Sequence, residues 1–188
     1  MPNPQSTSRV TRGTALVGGI ALDGPAGSPA GVIQYVPKVI KVPVVAKTTG
    51  EKDTTIDLPT KGLVLDVWVD VTTKEDTSGT KTIDVGLLSS ESGGDTDGFL
   101  DGVSTSSTGI KRGLPTITAG GSETYFASST RGLLLSSLTA GTDSAGDVGT
   151  YYENYHVLNG TAKSLVYQLG AAHTELVADI YVLYIDLT

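Results

Sequence analysis

The chain has 188 residues, no cysteine and a net charge of −7. The missing cysteines exclude disulfides and thiolate metal sites, and the acidic balance disfavours a nucleic-acid partner. A composition with 24 glycines and one methionine, rich in threonine, serine and valine, favours strands and turns over helices. The longest apolar run, residues 63–71, contains two aspartates and is too short for a membrane-spanning helix.

The charge is unevenly distributed along the chain. Residues 1–52 carry six basic and two acidic groups, a balance of +4, whereas residues 53–188 carry seven basic and 18 acidic groups, a balance of −11. We interpret residues 1–31 as an extended arm, because their glycines and prolines disfavour a helix. A basic arm on an acidic body predicts that Arg9 and Arg12 bind an acidic surface, on a partner or on the chain's own body. Charge scatter in a solvated tail is the alternative.

Two short strands are predicted at residues 32–36 and 39–46. Pro37 and Pro43 cannot donate a hydrogen bond to a strand ladder, so these strands are predicted to lie at a sheet edge or to pair with a neighbour.

The clearest alternation of apolar and polar residues lies between positions 63 and 72. Such a period of two is typical of a half-buried antiparallel strand. A polar turn over residues 74–79 and a second alternating stretch over residues 80–87 predict a hairpin. The predicted core residues of this hairpin are Leu63, Leu65, Val67, Val69, Ile83 and Val85.

Residues 89–113 contain many small and polar residues and are predicted to form a long loop, of the kind that is functional or reaches an interface. The terminal stretch 175–187 is apolar on both faces, which predicts a central strand covered on both sides. Further strands are predicted near residues 116–118, 124–127, 132–137, 151–158 and 164–169. A chain of about ten strands without a helix predicts an all-β fold, with one antiparallel β-sandwich or jelly-roll domain over residues 32–188.

No catalytic constellation is visible. The sequence lacks the nucleophile motif G-x-S-x-G and the glycine-rich loops that bind phosphates or dinucleotides. His156 and His173 are its only histidines, and we interpret both as structural or surface residues. Asp66 and Asp70 share a strand face about 13 Å apart, which exceeds the usual separation of a glycosidase pair. We therefore expect no enzymatic activity and no cofactor.

One acidic run is a candidate for calcium binding. Asp95, Asp97 and Asp101 flank Gly98 in the pattern that begins many calcium loops. The downstream glutamate and the flanking helices of an EF-hand are missing, and an aspartate–glycine turn is the simpler interpretation.

Tyr151, Tyr152 and Tyr155 form the second candidate site. Clustered tyrosines are frequent in protein interfaces because they combine rigid contact area with a polar tip. Core tyrosines at strand ends are the alternative. Together with the proline-bearing edge strands, this cluster predicts self-association, with a trimer as the first hypothesis.

Three sequence segments carry a resemblance to a known class of proteins. They are L-x-V-x-V-D-V-T-T from Leu65, S-G-T-K-T-I-D-V-G-L from Ser78 and D-x-D-G-F-L-D-G-V-S from Asp95. With the apolar final strand, this pattern resembles small virion structural proteins of tailed bacteriophages, of the capsid decoration or cement type. The resemblance covers about residues 63–110 and 176–188.

This resemblance implies a β-sandwich or jelly-roll body, self-association that is often trimeric, and docking of the protein on the lattice of the major capsid protein at the virion surface. It implies no catalytic residue. The alternative class is a carbohydrate- or receptor-binding β-sandwich module, such as a head fibre or a tail tip. Such a module needs exposed aromatic side chains in a cleft, whereas the single Trp68 lies on a predicted sheet face.

Overall fold

The computed structural model describes residues 19–21, 33–76, 78–120, 123–141 and 149–188. In these residues the regular structure consists of fifteen β-strands without a helix, so the predicted all-β class is confirmed. The strands are β1 (Gly19–Ala21), β2 (Ile33–Tyr35), β3 (Lys38–Pro43), β4 (Lys52–Leu58), β5 (Lys61–Thr73), β6 (Thr82–Leu87), β7 (Asp95–Ser104), β8 (Gly109–Arg112), β9 (Pro115–Gly120), β10 (Glu123–Ser129), β11 (Ser136–Thr139), β12 (Thr150–Glu153), β13 (His156–Asn159), β14 (Lys163–Leu169) and β15 (Val177–Asp186). No helix in the described part of the chain has the length and apolar character needed to cross a membrane.

Two antiparallel sheets form the body. The first sheet has the order β13-β5-β15-β3, and β8 also pairs with β5, beyond the end of β13. The second sheet has the order β4-β14-β6-β7. Apolar side chains from both sheets form one core, which includes Val69 and Ile180 from the first sheet and Ile83 and Leu165 from the second. The predicted sandwich is thereby confirmed.

The alternation of β5 contains an irregularity that the sequence pattern conceals. Val67, Val69, Ile83 and Val85 are fully buried, as predicted. Leu63 and Leu65 are only half-buried, and that part of the prediction is wrong. The pairing of β5 with β15 skips Leu65, so a bulge reverses the alternation and places Val64 in the core instead.

The predicted hairpin of residues 63–88 is also wrong, because β5 and β6 belong to different sheets. The connection after β5 crosses between the sheets. Glu75 lies in this connection and is buried, and one of its carboxylate oxygens accepts hydrogen bonds from the backbone amides of Thr174, Glu175 and Leu176 at 2.9, 3.0 and 3.1 Å. The connection is therefore anchored to the segment before β15, and β5 and β6 do not pair with each other.

Residues 89–113 were expected to be a loop but contain β7 and β8. Gly98, Phe99 and Leu100 are consecutive buried residues in β7, and the pairing of β7 with β6 is irregular at two positions. The period of two is therefore lost, although the strand is present. The single strand predicted at residues 151–158 is divided into β12 and β13, which belong to different sheets.

The predictions for β3 and β15 hold in part. Among the described strands β3 is the edge strand of the first sheet, as Pro43 and the preceding Pro37 predicted. β15 lies between β5 and β3 and is central, as predicted. Only one of its faces is fully buried, however, since Tyr181 and Leu183 on the other face are half-exposed. The predicted arm, residues 1–31, lies outside the described residues except for β1.

The edge strand β4 contains a bulge with unusual backbone geometry. Its pairing with β14 shifts between Ser164 and Val166, and Thr55 in the bulge has φ of 58°. Among the described residues it is the one non-glycine residue with positive φ. A β-branched side chain in this region is strained.

Thr55→Asn is expected to stabilise the protein by about 0.5–1.5 kcal/mol, because asparagine tolerates the left-handed region far better than a β-branched residue. Urea unfolding followed by the fluorescence of Trp68 measures the change. The control is Thr73→Asn, at an exposed strand position without positive φ, which should be neutral or mildly destabilising. If Thr55→Asn unfolded at the same urea concentration as the parent or at a lower one, the assignment of strain to Thr55 would be wrong.

Candidate interaction surface

Residues 113–155 form an excursion from the first sheet, since the chain leaves this sheet after β8 and returns to it in β13. The excursion consists of the β9–β10 hairpin and the β11–β12 ladder. Seven of the thirteen exposed large apolar side chains of the described residues lie on it or directly beside it. We call them the excursion surface: Ile110, Leu114, Ile117, Leu133, Tyr152, Tyr155 and Val157.

A buried arginine attaches the excursion to the body. Arg131 is 7% exposed, and its Nη1 donates to Asp66 of β5 at 2.9 Å, while its Nε donates to the carbonyl of Leu135 at 3.0 Å. The backbone of Arg131 also forms a bridge with Leu100 of β7. A buried charge that is paired and hydrogen-bonded in this way holds its surroundings in one arrangement. The excursion surface is therefore presented on a well-anchored support.

The structure divides the predicted tyrosine cluster. Tyr152 and Tyr155 are 63% and 65% exposed and belong to the excursion surface. Tyr151 is half-buried, its ring centroid lies 5.8 Å from that of Phe126, and burial raises the pKa of its hydroxyl. Tyr151 thus holds β12 against β10, whereas the other two side chains are free to contact a partner. Arg9 and Arg12, the other predicted contact residues, lie outside the described residues.

The outer face of the first sheet carries a ladder of four side chains at matched register: Lys41 on β3, Tyr181 on β15, Trp68 on β5 and Arg112 on β8. The Trp68 and Tyr181 rings are stacked with centroids 5.4 Å apart, Arg112 lies over Trp68 at 5.4 Å, and Lys41 lies over Tyr181 at 5.8 Å. Both faces of Trp68 are therefore occupied within the protein. Binding of a sugar ring by stacking on this tryptophan would require the ladder to open.

The aspartates of the calcium hypothesis lie on β7 rather than in a loop. A hydrogen bond to Asp97, together with burial, raises the pKa of Asp95 to about 6. Burial, followed by the charge of Asp97, raises the pKa of Asp101. Within the described part of the chain no three acidic, histidine or cysteine side chains are placed to hold a metal ion. This geometry adds no support to the calcium hypothesis.

Asp95→Asn is expected to raise the melting temperature at pH 7.5 and to leave it unchanged at pH 4. The folded-state pKa of Asp95 is raised from 3.8 to about 6, so its contribution to stability is fully present below the unfolded value and is lost as the pH rises through 6. Asparagine stays neutral and can still donate to Asp97. After discounting for solvent screening at this partly exposed site, the gain is about 1 kcal/mol, or about 2–4 °C.

Thermal unfolding by circular dichroism at the two pH values measures this difference. Asp70→Asn, on the outer face of β5, is the matched control for the replacement of an aspartate by asparagine on a strand. If Asp95→Asn changed the melting temperature by the same amount at pH 4 and pH 7.5, the result would be inconsistent with a proton held by Asp95.

Both histidines have structural contacts. His173 is buried, with Nδ1 donating to the carbonyl of Ala171 at 2.7 Å and Nε2 lying 2.9 Å from the hydroxyl of Thr105. His156 is half-buried against Phe99, with ring centroids 5.8 Å apart, and burial lowers its pKa. These contacts assign both rings to packing and hydrogen bonding within the sandwich.

No protein-family model and no curated protein matches the sequence. Among solved structures, the chain is similar to one in the acidic stable capsid structure of Helicobacter pylori bacteriophage KHP30, with a TM-score of 0.45 and 16% identity, over 82% of this chain and 90% of that chain. It is also similar to a chain of the cyanophage Pam1 capsid asymmetric unit, with a TM-score of 0.42 and 14% identity, over 99% of both chains. Both similarities are low, and the function is therefore argued below from the residues of this chain.

Proposed function

We propose that this protein is a non-enzymatic structural component of a tailed-bacteriophage virion, a decoration protein that binds and stabilises the lattice of the major capsid protein. The observation that carries the proposal is the excursion surface, seven exposed apolar side chains on a support anchored by Arg131. Exposed apolar side chains are typical of protein-binding sites, and two of the seven, Leu114 and Tyr155, line the same surface pocket together with the polar residues Arg112 and Glu153. The proposal that the assembly is a phage capsid is supported by the resemblance of residues 63–110 and 176–188 to cement-type proteins.

The same surface supports self-association. It contains two tyrosines together with leucine and isoleucine, which suit the buried centre of an interface. Its charged neighbours, Arg112 and Glu153, suit the rim. A symmetric trimer would bury part of this surface between its copies, and the remainder would contact the capsid lattice.

Sedimentation equilibrium tests the self-association. We expect the parent protein to have a mass that is a multiple of 19.3 kDa, and Leu133→Asp and Tyr155→Asp to shift it to the mass of one chain. Val177→Asp, exposed at the start of β15 and away from the excursion, is the matched control and should assemble normally. A parent protein of 19.3 kDa at all concentrations would contradict the proposal.

Add-back to phage heads tests the capsid role. Heads purified from a phage whose gene for this protein has been deleted are mixed with the purified protein, and occupancy is measured by electron microscopy. We expect saturable binding and increased resistance of the heads to heat. Heads that take up no protein, or a parent phage whose purified heads do not contain it, would exclude a decoration role while leaving self-association intact.

A further inference from the structure

The dipeptide of Asn159 and Gly160 lies at the end of β13. Asn159 is the last residue of this strand and lies opposite Lys61 of β5. Asn159, Gly160 and the following Thr161 are exposed to solvent. Among the described residues the side-chain amide of Asn159 has no hydrogen-bond partner. Asparagine is a thermolabile residue type, and here its side chain is open to reaction.

The conformation of Gly160 leaves its backbone nitrogen accessible. Its φ of 104° lies in the region that favours glycine, and beyond its chain neighbours no heavy atom lies within 4 Å of the position that a Cβ would occupy. The amide of Gly160 donates to no acceptor in the described part of the chain. A glycine nitrogen without a side chain beside it and without an acceptor can approach the side chain of the preceding residue.

We propose that Asn159 is a site of spontaneous deamidation. The backbone nitrogen of Gly160 attacks Cγ of Asn159, so that the N–Cγ bond forms, the Cγ–Nδ2 bond breaks and ammonia leaves with the proton of the Gly160 amide. The product is a cyclic succinimide. Water then opens the ring, at Cγ to give aspartate or at the backbone carbonyl to give isoaspartate. The proposal is independent of any capsid role.

Two aspartate–glycine dipeptides of β7 provide a structural contrast. Asp97-Gly98 and Asp101-Gly102 can form the same succinimide with loss of water. Gly98 is buried within the strand, however, and the amide of Gly102 donates to the carboxylate of Asp84 at 2.6 Å. A nitrogen that is buried or hydrogen-bonded in this way is held away from the preceding side chain. The fold therefore protects these two dipeptides and leaves Asn159-Gly160 reactive.

The other two asparagines of the chain differ in the residue that follows them. Asn3 precedes Pro4, whose nitrogen has no proton to lose. Asn154 precedes Tyr155, whose side chain hinders the approach of its nitrogen, and the amide of Asn154 itself donates to the carbonyl of Leu135 at 2.9 Å. Asn154 is thus an internal control in the same region of the protein.

The position of Asn159 determines the consequence of the reaction. Both products add one negative charge at the end of β13, the strand in which the excursion returns to the first sheet. Isoaspartate also lengthens the backbone by a methylene group, which displaces the pairing of Asn159 with Lys61. The products therefore alter the junction between the excursion and the sheet.

Peptide mapping by mass spectrometry after incubation of the purified protein at pH 8.5 and 37 °C tests the proposal. We expect the peptide with Asn159 to gain the mass that replaces NH₂ by OH, and a protein isoaspartyl methyltransferase to label it. Asn154 should be converted at least about tenfold less, because a side chain follows it. Asn159→Gln is the matched variant and should lose the reaction at this position, since glutamine would have to form a larger ring.

A synthetic peptide of residues 155–163 gives the rate of conversion without the fold. We expect Asn159 in the folded protein to react within about tenfold of the peptide rate, because the end of the strand opens readily. A slower reaction in the folded protein would overturn the proposal, since the sheet would then hold the dipeptide in an unreactive geometry. Isoaspartate formed at position 97 or 101 before position 159 would overturn the protection of β7.

Discussion

Val67→Asp is expected to lower the free energy of unfolding by about 3–5 kcal/mol, or to prevent folding. Val67 is fully buried on β5, where it lies opposite Val182 of β15 in the centre of the first sheet. A carboxylate at this position would be removed from water without a partner, and the aliphatic contacts between the sheets would be lost. Urea unfolding monitored by the single tryptophan, Trp68, measures the effect.

Thr72→Asp on the same strand is the control for Val67→Asp. Thr72 is exposed near the end of β5, where the register with β15 shifts a second time, so its replacement should cost only about 0.5–1.5 kcal/mol, for the lost hydrogen bond to the carbonyl of Val177. If Val67→Asp unfolded at the same urea concentration as the parent, the assignment of the buried face of β5 would be wrong.

Glu75→Ala is expected to destabilise the protein by about 3–5 kcal/mol, since three backbone amides would lose a charged acceptor in a buried site. The affected amides are those of Thr174, Glu175 and Leu176, directly before β15. Hydrogen exchange at these amides should accelerate more than exchange in the centre of β15. Thermal unfolding gives the global change.

Two further variants separate the role of Glu75 from a general effect of removing charge. Glu175→Ala removes an exposed carboxylate from the same region and should be close to neutral. Glu75→Gln keeps an acceptor oxygen but loses the charge, and its stability should lie between those of the parent and Glu75→Ala. Unchanged exchange at the three amides in Glu75→Ala would refute the anchoring role.

The candidate interaction surface was only partly predictable. Tyr152 and Tyr155 are visible in the sequence as a cluster, and the structure exposes both. The contributions of Leu114, Ile117 and Leu133 were missed, because isolated apolar residues in loops and short strands look like core residues until the fold shows which of them are exposed. Arg131 was missed as well, since its partner Asp66 lies 65 residues away in the sequence.

Local chemistry by itself determined several features of this protein. Its composition specifies an all-β chain, Pro37 and Pro43 place β3 at an edge, and the alternation around Val67 identifies a half-buried strand. These features depend on backbone donors and side-chain periodicity, which are properties of neighbouring residues. Which strands pair with each other was decided only by the tertiary structure. Glu75 anchors the connection that leads to β6 in the other sheet, the bulge at Leu65 exchanges the faces of β5, and Arg131 fixes the excursion. Each of these features depends on a contact between residues distant in sequence.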